Sequence, residues 1–128
     1  MEALNDVVRS GKVRYIGASS MATWQFQKMN NVAECNSWAK FVSMQNLYNL
    51  VYREEEKEMV GYCQDAGIGM TTWSPLNAGQ LTAKNRDSER TKFIFTADNW
   101  QPSSLQESNE VILDRVGKLA IKYGTTYA

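Results

Sequence analysis

Apolar residues in this chain gather into short extended runs, with helically spaced stretches between them. Three runs read as strands. Val13-Arg14-Tyr15-Ile16 leads into Gly17-Ala18-Ser19-Ser20, and Phe41-Val42-Ser43-Met44 leads into Gln45. Ile68-Gly69-Met70-Thr71-Thr72 leads into Trp73-Ser74-Pro75-Leu76. Leu4, Val7 and Val8 recur at helical spacing over residues 1–10, and Gly11 suits the end of that helix. Ser20 can cap a second helix over Trp24, Phe26 and Met29, after which a polar stretch from Asn30 to Lys40 leads to the second strand. The charge run from Arg53 to Glu58 opens a third helix, continued by Met59, Val60 and Cys63 and ended by Gly67. Ser108 caps a last helix with Val111, Ile112, Val116, Leu119 and Ala120 on one side and Gly124 after it.

The strand starts are about 27 residues apart with a helix in each interval, an order that implies parallel strands joined by right-handed crossovers. An eight-fold barrel of about 250 residues uses about 31 per unit, so the expected class is α/β, with parallel βα units making about three of the eight of a (β/α)8 barrel. A flavodoxin-like open sheet is the alternative, but it needs about five strands. In either fold a ligand site forms at the carboxyl ends of the strands, where Ser19, Ser20, Gln45 and Trp73 fall. Residues Asn77 to Glu107 show no sustained period and hold Phe93, Phe95, Trp100 and Pro102. A loop longer than about 15 residues is usually functional or disordered, and the aromatics argue against pure disorder. The first helix starts without a capping residue, and Thr125-Thr126-Tyr127-Ala128 looks like the start of a further element. The expectation is one partial domain over residues 1–128, truncated at both ends.

Composition narrows the function. The chain is 43% hydrophobic, enough for a core, and its 14 basic and 14 acidic residues cancel. No broad electropositive face for nucleic acid or anionic lipid is expected. No apolar run is long enough to span a bilayer and no signal pattern opens the chain, so a cytoplasmic location is expected. Cys35 and Cys63 are isolated and there is no histidine, so they read as free thiols of a reducing cytosol, and no zinc set can be completed. The absence of histidine also removes the commonest general base. Glu54, Glu55 and Glu56 read as a solvated turn matched to a helix dipole rather than a metal site.

Together these stretches resemble the C-terminal half of an aldo-keto reductase barrel. Leu4 through Gly17-Ala18-Ser19-Ser20 is similar to the family's "L-x-x-L-V-x-x-G-K-[VI]-R-x-[IL]-G-[VA]-S-[NR]". Gln45-Asn46-Leu47-Tyr48-Asn49-Leu50 resembles "Q-x-x-Y-[NS]-L". Gly67-Ile68-Gly69 through Trp73-Ser74-Pro75-Leu76 to Gly79, Leu81, Thr82 and Lys84 resembles "G-I-G-x-x-x-[YW]-S-P-L-x-x-G-L-L-[TS]-G-K". Trp rather than Tyr before Ser-Pro-Leu is similar to the branch holding fungal aryl-alcohol-type reductases and potassium-channel β-subunits.

The resemblance implies NADP(H) at an incomplete site. Ser19 and Gln45 would hydrogen-bond the nicotinamide carboxamide, which needs both a donor and an acceptor. Ser20 stands where many members have Asn or Arg. Trp73 would stack on the ring. Ser74, Pro75, Leu76 and Ala78 fall where the pyrophosphate is received, and Lys84 matches a basic residue near the phosphates, a place Arg86 or Arg90 could also serve. Asn77 and Gln80 depart from the small and aliphatic residues common there. Taken without the family, Ser19 reads as a helix cap, Gln45 as a partner of a backbone carbonyl, Trp73 as a rim residue and Lys84 as solvated charge. Packing is the reading for Trp24, Trp38, Trp100, Met21, Met29, Met44, Met59 and Met70.

The family's chemistry uses a Tyr proton donor supported by Lys, Asp and a His or Asn, and none of Tyr15, Tyr48, Tyr52, Tyr62, Tyr123 and Tyr127 falls at the donor's place. No catalytic residue is therefore expected here. The leading expectation is a segment of an NAD(P)H-dependent carbonyl reductase that is inactive alone. A non-catalytic nucleotide- or protein-binding module of the same fold, and a split enzyme, remain as alternatives. Two open sheet edges predict a partner, either the missing barrel half or a second copy.

Overall fold

The computed structural model describes residues 1–82 and 106–128, with 106–108 described by backbone alone. Helix α1 (Glu2–Arg9) turns through Gly11, at φ +74, toward strand β1 (Ile16–Ser19). Helix α2 (Thr23–Cys35), strand β2 (Phe41–Leu47), a 3-10 turn (Glu54–Lys57), helix α3 (Met59–Asp65) and strand β3 (Gly69–Trp73) follow. A second 3-10 turn (Asn77–Gly79) and helix α4 (Gln106–Tyr123) complete the described elements. The expected loop residues Lys84, Arg86, Arg90, Phe93, Phe95, Trp100 and Pro102 lie outside the described residues. No helix among the described residues is long and apolar enough to cross a membrane.

The chain divides into two compact units, Met1–Tyr48 with Arg53–Trp73, and Asn49–Tyr52 with Ser74–Ala128. The first unit holds the sheet, in the order β1-β2-β3 with both pairings parallel, as the βαβαβα order requires. Ala18, Met44 and Met70 are in register, so they share one face, and that face packs against the helices. An irregularity in the β1–β2 ladder pairs Ile16 with Phe41 and Gly17 with Ser43. The extra residue on β2 lets both Phe41 and Met44 point into the core, although three positions separate them.

Phe26 of α2 sits at the centre of that core, fully buried. Its ring stacks on Phe41 with centroids 5.6 Å apart, and meets Tyr62 of α3 edge-on at 5.8 Å. All six methionines belong to this one cluster, Met44 and Met59 buried and Met1, Met21, Met29 and Met70 partly buried around them. Unbranched thioethers fill irregular gaps between helices and sheet, which is the packing role expected of them. Trp24 does not share it and is 63% exposed.

Several element ends differ from the sequence reading. Strand β1 starts at Ile16, three residues after Val13, with its start set by the pairing to Phe41. Ser20 is not a helix cap. It sits at φ +42, and α2 instead starts after Ala22, whose N–H donates to the Gln25 side chain at 3.3 Å. The charge run forms its own 3-10 turn, which Glu58, at φ −143 and ψ −55, separates from α3. Gly67 ends α3 as expected, at φ +65, with the Ile68 N–H returning to Cys63 O at 2.8 Å.

In the second unit α4 starts two residues before Ser108, which therefore lies within its first turn. Its buried stripe is Leu113, Gly117 and Ala120, whereas Val111 and Leu119 are exposed. The expected face is thus rotated in part, since Ala120 is buried and Ile112 and Val116 are half-buried. Gly117 explains the rotation, because an added Cβ would stand 2.2 Å from the Tyr127 hydroxyl, so the C-terminal Tyr127 folds back over that stripe.

Candidate functional site

Side chains alternate across a strand, so residues in register with one another share a face. Ser19, Gln45 and Thr71 form one such row on the face away from α2 and α3. Trp73, two residues beyond Thr71 and opposite Leu47, lies on the same face one step nearer the carboxyl ends. The row below is Gly17, Ser43 and Gly69. Ser19, Gln45 and Thr71 are exposed and Trp73 is half-buried. The face is therefore small and polar, where the packed interior of a barrel is usually bulky and branched. Three of the expected site residues, Ser19, Gln45 and Trp73, are brought together by register alone.

The Ser19–Ser20 corner is pinned to β2. Ser19 Oγ donates to the main-chain oxygen of Gln45 at 2.8 Å. The Ser20 N–H reaches the same oxygen at 3.1 Å and Asn46 Oδ1 at 3.3 Å. Since a hydroxyl has a single proton, Ser19 Oγ keeps its lone pairs for an incoming donor. The Gln45 side-chain amide projects from the same face, so a hydroxyl acceptor and a two-sided amide stand side by side. That pair suits a primary carboxamide.

A network of side-chain bonds around this corner was not foreseen. Asn46 is 1% exposed, and its Nδ2 donates to Glu55 Oε2. Tyr48 donates its hydroxyl to Glu56 Oε1, and Arg53 donates Nε and Nη2 to the two Glu56 oxygens at 2.7 Å each. Glu54 pairs with Lys57. The acidic turn is therefore solvated, as expected at Glu54 and Glu56, and its carboxylates are also partnered and hold the end of β2. The Arg53 guanidinium and then the Tyr48 hydroxyl hold the Glu56 carboxyl below its ordinary range. The bond to Glu56 raises the Tyr48 phenol, and burial, followed by the Glu55 charge, raises the Cys63 thiol. Cys35 and Cys63 are free, the first exposed and the second buried.

In the second unit Ser74 organises its own loop. Its Oγ accepts the Ala78 N–H at 3.0 Å, and its main-chain oxygen accepts Asn77 N–H at 2.9 Å and Asn49 Nδ2 at 3.0 Å. Asn49 Oδ1 in turn accepts the Val51 and Tyr52 N–H groups, so this buried side chain ties the 49–52 turn to Ser74. Asn77, Ala78 and Gly79 all have positive φ, at +48, +56 and +94. Asn77 is buried and donates to Gln80 at 3.0 Å, which accounts for two residues that depart from the family pattern. Pro75 and Leu76 are exposed at the tip. Lys84 lies outside the described residues.

Comparison with known proteins agrees with this architecture. The profile of the Aldo/keto reductase family matches residues 1–128. A Schizosaccharomyces pombe protein with the provisional name of an aryl-alcohol dehydrogenase is 49% identical over 128 residues, which is all of this chain and 39% of that protein. Versiconal hemiacetal acetate reductase of Aspergillus parasiticus is 48% identical over 130 residues, covering all of this chain and 38% of its own length. Among solved structures, the glycerol dehydrogenase of Gluconobacter oxydans superposes with a TM-score of 0.76 at 25% identity, over 97% of this chain and 37% of that one. The chain thus spans less than two fifths of the length of each of these three relatives.

Proposed function

The chain belongs to the aldo/keto reductase family, and from that premise we propose that residues 1–128 supply the nicotinamide side, and part of the pyrophosphate side, of an NAD(P)H site. The parent activity in this reading is interconversion of a carbonyl and an alcohol. The chemistry that a reduced nicotinamide supplies is a hydride. One observation carries the proposal, the shared row of Ser19 and Gln45 with Trp73 one step beyond it on the same face.

Ser19 Oγ, its proton given to Gln45 O, accepts from the carboxamide NH2, and the Gln45 amide donates to the carboxamide oxygen. Trp73 offers a flat apolar surface that fixes the ring plane and keeps water from one side. Ser74 holds the backbone N–H groups of Asn77 and Ala78, and with Pro75, Leu76 and Ala78 it receives the pyrophosphate. Lys84 adds a positive charge near the phosphates. The acid that protonates the substrate oxygen comes from polypeptide outside residues 1–128, so this stretch alone binds without turnover. The missing barrel half, or a second copy, would supply that partner surface, in the cytoplasm.

Titration of the chain with NADPH, followed by tryptophan fluorescence with size recorded by light scattering, tests the reading. Saturable quenching that Trp73→Ala removes is the expected result. Equal quenching in Trp73→Ala would remove Trp73 from the site, and no quenching from a folded, soluble sample would overturn cofactor binding by this stretch.

A further inference from the structure

The Ser20 backbone is held in the left-handed region, at φ +42, with no glycine to ease it. A non-glycine residue keeps such a conformation only where its surroundings over-determine it. Two acceptors do so here, Gln45 O at 3.1 Å and Asn46 Oδ1 at 3.3 Å, both reached by the Ser20 N–H. Gln45 O belongs to the sheet ladder and is available to any sequence. Asn46 Oδ1 is a side-chain choice, and nothing in β-strand propensity favours it. Asn46 is 1% exposed on the face otherwise given to Met44, so an amide there is costly unless both its ends are used. Both are, since Nδ2 donates to Glu55 Oε2 while Oδ1 accepts from Ser20. The Glu55 carboxylate can only accept from Asn46, and this fixes which end of the amide faces Ser20.

We infer that Asn46, oriented by Glu55, is the positioning residue of the Ser19–Ser20 corner. Its part in carboxamide recognition rests on the reading of that corner as a nicotinamide contact. Asn46 touches neither the cofactor nor the substrate in this account. It sets the turn that aims Ser19 Oγ.

The test exchanges donor and acceptor. Asn46→Asp keeps an acceptor for Ser20 but sets two carboxylates against each other. Asn46→Asp with Glu55→Gln restores a donor opposite an acceptor, with the net charge unchanged. Two readouts are used, amide exchange at the Ser20 N–H without ligand, and the affinity for NADPH against its 3-acetylpyridine analogue. That analogue carries a methyl group where the carboxamide carries NH2, so it lacks the bond to Ser19 Oγ. In the parent chain NADPH should be preferred by about tenfold, the worth of one hydrogen bond. Asn46→Asp should remove that preference and speed Ser20 exchange by about tenfold, and the double variant should restore both. Equal weakening of both ligands by Asn46→Asp, or a double variant no better than the single one, would overturn the inference. If the parent chain takes up no NADPH while Ser20 exchange still follows both substitutions, the positioning of the corner stands and the cofactor reading falls.

Discussion

Ser19 and Gln45 are Cα partners across the parallel β1–β2 ladder, and the Ser19 hydroxyl closes onto the main-chain oxygen of Gln45 at 2.8 Å. The bond is exposed, and Gln45 O retains the Ser20 N–H when it is removed. Ser19→Ala should therefore cost only about 0.5–1 kcal/mol in urea unfolding, the lower end for a neutral hydrogen bond. A loss well above that range would mean that Ser19 is a structural keystone rather than a group free to serve a ligand.

Gly17, in the row beneath, is required by space. A Cβ there would stand 2.3 Å from Ser43 Oγ and 3.2 Å from the Ser43 main-chain oxygen. The hydroxyl can rotate away, but the carbonyl belongs to the ladder and cannot. Gly17→Ala should destabilise by about 1–2 kcal/mol, and adding Ser43→Ala should recover only part of the loss. Full recovery in thermal unfolding would show that the hydroxyl alone set the spacing.

The strands and their order could be read from the sequence because alternation and spacing are local properties of it. Val13 to Ile16 gave a strand displaced by three residues, since the β1 boundary is set by pairing to Phe41. That Ser19, Gln45 and Trp73 lie together could be read because Ser19 and Trp73 end their strands and Gln45 stands two residues before the end of β2, and parallel register then places them on one face. Asn46 and Glu55 could not be found this way. Their bond joins residues nine positions apart across a turn, and a buried Asn in a strand looks like an error until its two partners are seen. The stripe on α4 was misjudged in part, at Val111 and Leu119, for a related reason. A glycine carries no hydrophobic signal, yet Gly117 is where Tyr127 packs.

Ala78 lies at φ +56 between two residues that also have positive φ. An L residue with a Cβ is strained there by about 1–2 kcal/mol, while glycine adds about 1 kcal/mol of unfolded-state entropy. Ala78→Gly should leave the loop slightly more stable, by about 0.5 kcal/mol. Ser74→Ala removes the acceptor of the Ala78 N–H and should cost about 1 kcal/mol. Opposite signs in thermal unfolding are the outcome to look for. Destabilisation by both would mean that the loop conformation depends on the Ala78 methyl.

The cluster of Arg53, Glu56 and Tyr48 makes stability depend on pH in two separate windows. Glu56 is held below its ordinary pKa of 4.5, chiefly by the Arg53 hydrogen bonds and then by Tyr48. The folded state thus prefers the ionised carboxylate. Its stabilisation is present above pH 4.5 and disappears as the pH falls through the lowered value. Tyr48 is raised above 10.0, first by its bond to Glu56, so the folded state prefers the neutral phenol. That contribution is complete below pH 10.0 and disappears as the pH rises through the raised value. The groups are exposed, and salt should weaken both effects. Unfolding midpoints of the parent chain and Glu56→Gln should therefore differ at neutral pH and converge as the pH falls through the lowered Glu56 value. Tyr48→Phe should flatten the alkaline limb and leave in place the acid dependence that Arg53 imposes through Glu56. A Glu56→Gln profile parallel to the parent's at acid pH would show that the Arg53 bonds exert no net hold on the carboxylate in solution.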